Sequence, residues 1–545
     1  MRKRILGPAA VCILALAAAF GCSAPAGETP TVEREGEPQV VEETEEEAGE
    51  SPTAVPTEAQ AEEAETEYAE EIVVGIGRDL YYGHTQWHMI HGSLLVWEPL
   101  VYPDENLNPQ PYLAESWEAN EDQTAWTFTL KDGIKFHDGA ELTARVAADN
   151  LRGIHENYTP LPTLDRIEVD GPLTFTIYLT EPTPALPDLL VFFESAMLSP
   201  GTRTQEEVDE PVPYGTGPFR FVDYVEGERI VLERNPDYWG EPAKVERVVY
   251  RFIPDATTRL QALQSGEIDA VADVGSIMPS QGEIIEGDQD LRLLTVDVLT
   301  THYLYFNTDQ PPFDDPELRR AVSLAIDREE IVEQTVYGYG VPGTSLITQL
   351  AAKWVNPDAR PAHDLEEAES LAESVLGGER ETVTFLVHSG LANRWPYGEI
   401  AQIIQYELAA LGLDVEIQSV EGGTWNEMQV NDEYQISMRP YTMSSADPDD
   451  FMTYWARPQG VFNQKYSISY QNEEVKALID QAVSEVDADT RKELYDQIQA
   501  TLIEEAPFTP IYHEVTLYAT RDNVYDLTLD PLFRPSLDTM YKVVE

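Results

Sequence analysis

The sequence predicts a multidomain α/β protein. Three observations carry this: strand-like alternation through the first half, amphipathic helices alternating with strands through the second, and a 545-residue length that supports a large core.

The chain opens with Arg2, Lys3 and Arg4, followed by an apolar run from Ala9 to Phe20 that is too short to span a bilayer. Residues 1–21 therefore read as a signal peptide. Small residues then lead to Cys22, in the pattern of a lipoprotein cleavage box, so Cys22 is expected to become the first mature residue and to carry acyl chains. The other cysteine, Cys12, lies within the leader, which leaves no mature disulfide or cysteine metal site. Residues 22–71 are mostly Glu, Thr, Pro and Ala with one arginine, Arg34. Such a segment buries too little to offset its conformational entropy and is expected to be an extended, self-repelling tether.

Order begins at Ile72. Trp126, Phe128 and Leu130 alternate with polar residues up to Asp132-Gly133, and Ile134 and Phe136 follow, which predicts a hairpin. Phe175, Ile177 and Leu179, and then Ile230 and Leu232, extend the strand pattern. Further on, Asp315-Pro316 starts a helix with Leu318, Ala321, Val322 and Ala325 on one face. Ile400, Ile403, Ile404, Leu408 and Leu411 form another face that stops at Gly412, and Val415 and Ile417 read as a strand. Two more helices are expected, around Val475–Ala482 and Leu494–Leu502. No later stretch is long and apolar enough to cross a membrane.

The formal charge of −64, from 35 basic and 99 acidic residues, argues against nucleic-acid binding, which requires a basic footprint. A hydrolase is also disfavoured. There is neither a Gly-x-Ser-x-Gly elbow nor a His-Glu-x-x-His pair, and His513-Glu514 lacks the second histidine. His137-Asp138, at the expected hairpin end, is read as structural.

Seven segments, in order, resemble the family 5 solute-binding proteins, the dipeptide-, oligopeptide- and nickel-binding proteins of ABC importers. They are LAESWEANEDQTAWTFTLKDGIKFHDG at 113–139, YGTGPFRF at 214–221, LERNPDYWG at 232–240, LQALQSGEID at 260–269, YLYFNT at 303–308, PELRRAVSLAIDREEIV at 316–332 and SADPDDF at 445–451. The physical reading of these motifs is mainly architectural. Gly215 and Gly217 permit a tight backbone path, and 316–332 is a core-packing helix.

The resemblance implies a large, type II periplasmic-binding-protein-like fold of two lobes. The expected boundaries are lobe I over 72–306 with an extra subdomain at about 101–213, lobe II over 307–511, and a return to lobe I over 512–545. It also implies a non-enzymatic monomer without a cofactor, anchored outside the cytoplasm by lipid alone, that closes on a small ligand and hands it to permease subunits.

In peptide-binding members an acidic residue a few positions before the Asp-Pro pair holds the ligand ammonium group. Here that position is Ser444, a neutral hydroxyl, with Asp447 as the possible substitute. The candidate ligand-binding residues are Trp87, Tyr214, Asn307, Arg394, Trp425, Tyr441, Ser444, Ser445 and Asp447. Trp395 and Trp455 are further aromatics of the expected cleft, and Arg394 and Arg439 could meet a carboxylate. A peptide is the first expectation and an oligosaccharide stacked on Trp425 and Tyr441 the second. His84, His88 and His91, which would share one helical face, suggest a metal or metal chelate as a third.

Overall fold

The computed structural model describes residues 68–78, 95–158, 163–191, 195–202, 213–392 and 394–544. The leader, Cys22, most of the tether, and the His84, Trp87, His88 and His91 segment lie outside the described residues.

The first strand, β1 (Glu71–Ile76), is followed by a short ribbon of β2 (Val101–Pro103) and β3 (Pro109–Pro111). Next comes a small antiparallel sheet of β4 (Ala114–Ala119), β5 (Ala125–Leu130), β6 (Leu164–Val169) and β7 (Thr174–Leu179), in the order β4-β5-β7-β6. The strands β8 (Phe219–Val225), β9 (Arg229–Arg234), β10 (Arg247–Phe252) and β11 (Ala270–Val271) then join β1 in the main sheet.

The chain continues through the long β12 (Leu291–Phe306), β13 (Gly340–Pro342), β14 (Glu381–His388), β15 (Leu413–Val420), β16 (Ile436–Thr442) and the long β17 (Phe508–Arg521). The main sheet has 11 strands in the order β15-β14-β16-β12-β17-β11-β1-β10-β9-β8, with β13 added on β17. Its two longest strands lie at the centre. The early part of β12 and the late part of β17 pair beside β11, and their other ends pair beside β16. β12 and β17 are thus the strands that run from the β11 side of the sheet to the β16 side.

The expected alternation in β5 is present: Trp126, Phe128 and Leu130 are buried. The expected hairpin is not. Both edges of β5 are taken, by β4 and β7, so the chain after Asp132-Gly133 cannot pair back. Gly133 does turn, at φ 79°, and Ile134 and Phe136 bury separately in a small turn closed by the Phe136 amide on the Ala140 carbonyl.

The helical expectations hold at Pro316–Ala325, where Asp315 accepts from the Glu317 amide and Leu318, Ala321, Val322 and Ala325 are buried. The single helix expected over 316–332 is two. Ile326 is extended, and Asp327 starts a second helix, Arg328–Thr335, by accepting from the Glu330 amide. Tyr397–Leu408 buries Ile400, Ile404 and Leu408, and Gly412 ends the following turn in the left-handed region at φ 83°. Glu473–Ser484 and Ala488–Glu505 complete the second lobe.

Two of the resemblance segments, 214–221 and 232–240, meet around one buried side chain. Glu98, 2 % exposed, accepts from the hydroxyls of Tyr112 (2.7 Å), Tyr238 (2.6 Å) and Thr216 (2.7 Å) and from Trp239 Nε1 (2.8 Å). A Cβ on Gly215 would lie 2.0 Å from the Val96 carbonyl, and one on Gly217 2.1 Å from that of Leu95, so both glycines are required by close backbone approach. His137 is structural: its Nδ1 accepts from the Gly215 amide, its Nε2 donates to the Gly217 carbonyl at 2.9 Å, and burial pushes it down to about 4.

Candidate functional site

The passage between the lobes is built on the irregular stretch of β12, whose pairing with β17 shifts between Asp297 and Thr301 and again after His302. His302 is buried there, stacked on Tyr512 with ring centroids 4.0 Å apart. Its Nε2 faces Glu514 at 3.2 Å and its Nδ1 the Tyr397 hydroxyl at 2.8 Å. Burial pushes Glu514 up, but donation from His302 and Thr516 outweighs it and holds the carboxyl below its usual value. Burial lowers His302, so the neutral ring donates from Nε2 and accepts from the tyrosine. His513 bonds Thr301 at 2.8 Å and is pushed down to about 4 by burial.

Near this passage lie several buried donors. Arg439, on β16, lays its guanidinium over the rings of Tyr466 (4.1 Å) and Phe462 (4.6 Å). Its Nη1 is buried and has no hydrogen-bond partner among the described residues. The same holds for the indole N–H groups of Trp395, Trp425 and Trp455. Trp425 packs 5.5 Å from Tyr466 and 5.2 Å from His388. His388 Nδ1 accepts from the Gly390 and Leu391 amides, which leaves its proton on Nε2 as a further donor. Buried donors without acceptors are costly, and a ligand offering acceptors removes that cost.

Arg394 connects the lobes. Its Nη2 donates to the Val274 carbonyl at 3.0 Å, and its guanidinium stacks on Trp395 at 4.5 Å. Val274 belongs to the same hydrophobic cluster as Phe306, Phe385 and Trp395. Next to it, Asp273 holds Arg78 at 2.9 Å.

The other expected site residues are placed as follows. Tyr441 and Trp425 are buried, at 8 % and 4 % exposure, inside the aromatic packing with Phe451, Trp455, Phe462 and Tyr466. They belong to the same assembly as Arg439, as packed rings rather than open platforms. Asn307 is fully buried at the end of β12, where it donates to Asp432 and accepts from the Asp309 amide. Tyr214 uses its backbone, on Thr202 and Ser199, beside the Gly215 corner. The Ser444 amide donates to Asp450 at 2.8 Å and Ser445 Oγ accepts from the Asp447 amide. Asp447 is 4 % exposed and bound by both ends of Arg491, at 2.5 and 2.9 Å, so its carboxylate is already engaged. Trp87, Cys22, His84, His88 and His91 lie outside the described residues. Among the described residues there is no cluster of three or more His, Cys, Asp or Glu able to hold a metal.

Sequence reasoning named Arg394 and Arg439 as candidates and did not name His302, Glu514 or His388. Their only sequence signal was polarity inside strands that otherwise read as core.

Comparison with known proteins agrees with this architecture. The profile described as "Bacterial extracellular solute-binding proteins, family 5 Middle" matches residues 108–463. The dipeptide-binding protein of Escherichia coli K12 is 27% identical over 463 residues, covering 77% of this chain and 84% of that protein. The probable D,D-dipeptide-binding periplasmic protein DdpA of the same organism is 26% identical over 444 residues, covering 79% and 84%. The crystal structure of NikA from Brucella suis in complex with Fe(III)-EDTA superposes with a TM-score of 0.79 at 22% identity, covering 87% of this chain and 99% of that one.

Proposed function

The chain belongs to the family 5 bacterial extracellular solute-binding proteins, and on that premise we propose that it encloses a short peptide or peptide-like ligand with a free carboxylate between its lobes, for delivery to an ABC permease. The observation that carries this reading is a set of unanswered donors: Arg439 Nη1 and three indole N–H groups are buried without acceptors among the described residues, and a carboxylate that reaches Arg439 supplies one. A carboxylate and backbone carbonyls supply what those donors lack. The similarity to proteins named for dipeptide binding supports the same class. Ser444 offers no charge to an ammonium group and Asp447 is committed to Arg491, so in this reading the carboxylate end of the ligand dominates recognition. The burial of Trp425 and Tyr441 disfavours the sugar-stacking alternative.

In the same proposal Cys22 is lipidated, residues 22–71 tether the body outside the membrane, and the protein acts as a monomer. The lobes rotate about the irregular β12 stretch at 297–301 and its partner at 513–515. Arg394 on Val274 then belongs to the closed form.

Isothermal titration with di- and tripeptides, as free acids and as C-terminal amides, tests the reading. The free acids are expected to bind, and Arg439→Met is expected to weaken them about 10- to 100-fold, the range of one charge-assisted bidentate contact, while leaving amide binding nearly unchanged. Equal affinity for acids and amides, or an unaffected variant, would sink the proposal.

A further inference from the structure

A cavity of about 550 Å³ opens between the small-sheet region and the segments 349–354, 446–447 and 485–491. Its walls include Glu105 from the β2–β3 turn, Asp188 on the short helix Leu186–Leu189, Lys353, Asp447, and Glu485 and Arg491 at the start of the helix Ala488–Glu505. Asp188 is partly buried, and its carboxyl has no side-chain hydrogen bond or ion pair among the described residues. Behind it, Asp447 and Asp449 both take Arg491, at 2.5 and 3.3 Å, and the Tyr495 hydroxyl donates to Asp449. Two carboxyls therefore share one guanidinium, and Asp188 stands on the wall of the same cavity as that guanidinium. Lys353 directs its ammonium over the Trp354 ring, 4.6 Å from the centroid, and forms no ion pair with them among the described residues. The imbalance is stored as protons. Burial and then Asp447 push Asp188 up to about 7, and burial followed by Asp447 does the same to Asp449.

We propose that this cavity is a second binding site, for an organic ammonium or guanidinium group, with Asp188 as its principal charge partner. The volume exceeds what one amine needs, and a cation entering it replaces the missing positive charge. Two sources present the same chemistry: a free polyamine, or the basic side chain of a peptide held nearby, since Ala446 and Asp447 line the cavity close to Ser444. Only the second source rests on the peptide reading above.

The test uses the purified full chain, with cadaverine as the probe in titration calorimetry at matched ionic strength and at pH 6 and 8. Cadaverine binds wild type, more tightly at pH 8, because Asp188 loses its proton across that interval. Asp188→Asn weakens binding about tenfold and Asp188→Glu retains it. Should the asparagine variant fail to fold, Asp188→Ser is the charge-free replacement. In the same variants, Ala-Lys is preferred to Ala-norleucine about tenfold by wild type, and the preference is lost in Asp188→Asn. No cadaverine binding, or equal binding to wild type and Asp188→Asn, overturns the site. Cadaverine binding without any peptide binding leaves this site standing and removes the peptide reading, and a missing lysine preference assigns the site to free cations.

Discussion

Glu98 shows how much one buried side chain organises. Burial pushes its carboxyl up, and the four donors from Tyr238, Trp239, Thr216 and Tyr112 work against that rise. Replacement by leucine keeps the volume but strands four buried donors, and a loss of about 3–5 kcal/mol is expected. Glutamine still accepts at one oxygen, and the tyrosine hydroxyls can turn to accept from its amide, so about 1–2 kcal/mol is expected. Urea melts of Glu98→Leu and Glu98→Gln compare the two, and equal losses would mean that the donors do not depend on this acceptor. Residues of this kind were illegible in the sequence, because their partners are far along the chain. Tyr238 is 140 positions from Glu98, Glu514 is 212 from His302, and Arg491 is 44 from Asp447. Asp447 before Pro448 looked free for a ligand only because nothing local announces Arg491. Arg394 and Arg439 could be named from the sequence as candidates for a carboxylate, since a guanidinium near an expected cleft keeps that chemistry whatever surrounds it.

At the level of elements, legibility followed locality. Asp315-Pro316 and Gly412 are signals whose physics lies within one turn, and the structure uses them as read. The Asp132-Gly133 turn is equally local and does turn, yet the pairing beyond it depended on which edges of β5 were open, a property of the whole sheet. The break at Ile326 was masked by continuous apolar periodicity, although Asp327 is itself a capping residue. The Gly215 corner sharpens the distinction between a glycine that is needed and one that is not. Gly215→Ala sets a Cβ against the Val96 carbonyl, and backbone cannot yield as a flexible side chain does, so about 2–4 kcal/mol is lost. Gly398, in the helix Tyr397–Leu408, has open space around its Cβ position, and alanine there is expected to gain roughly 0.5 kcal/mol. Thermal melts of both variants decide it: similar behaviour would show that the corner relaxes.

For the whole molecule, the fold places several carboxyls where burial raises them, and stability then depends on pH in a definite sense. Burial pushes Asp188, Asp449 and Glu407 up to about 7 and Asp450 up to about 6. Such a carboxyl keeps a proton in the folded state that the unfolded chain has already released. Its stabilisation is therefore complete below the unfolded value and disappears as pH rises through 6 to 7. Buried histidines act in the opposite sense. His137 and His513, pushed down to about 4, refuse a proton that the unfolded chain binds below about 6.5, so acidification past that point costs stability. Four raised carboxyls outnumber two lowered histidines, so stability rises as pH falls from 8 and the rise slows below about 6.5 where the histidines begin to oppose it, with a gain of about 1–2 kcal/mol between pH 8 and 6.5 once the coupling of Asp188 and Asp449 through Asp447 and Arg491 is discounted. The net charge of −64 adds a repulsion that also eases on acidification, but it is spread over the surface and salt screens it. Melting curves from pH 4.5 to 8.5 at low and high salt separate the two. A rise toward pH 6 that survives high salt assigns it to the buried carboxyls, a rise abolished by salt assigns it to surface charge, and a melting temperature that falls from pH 8 to 6.5 would show that these carboxyls do not hold their protons in the fold.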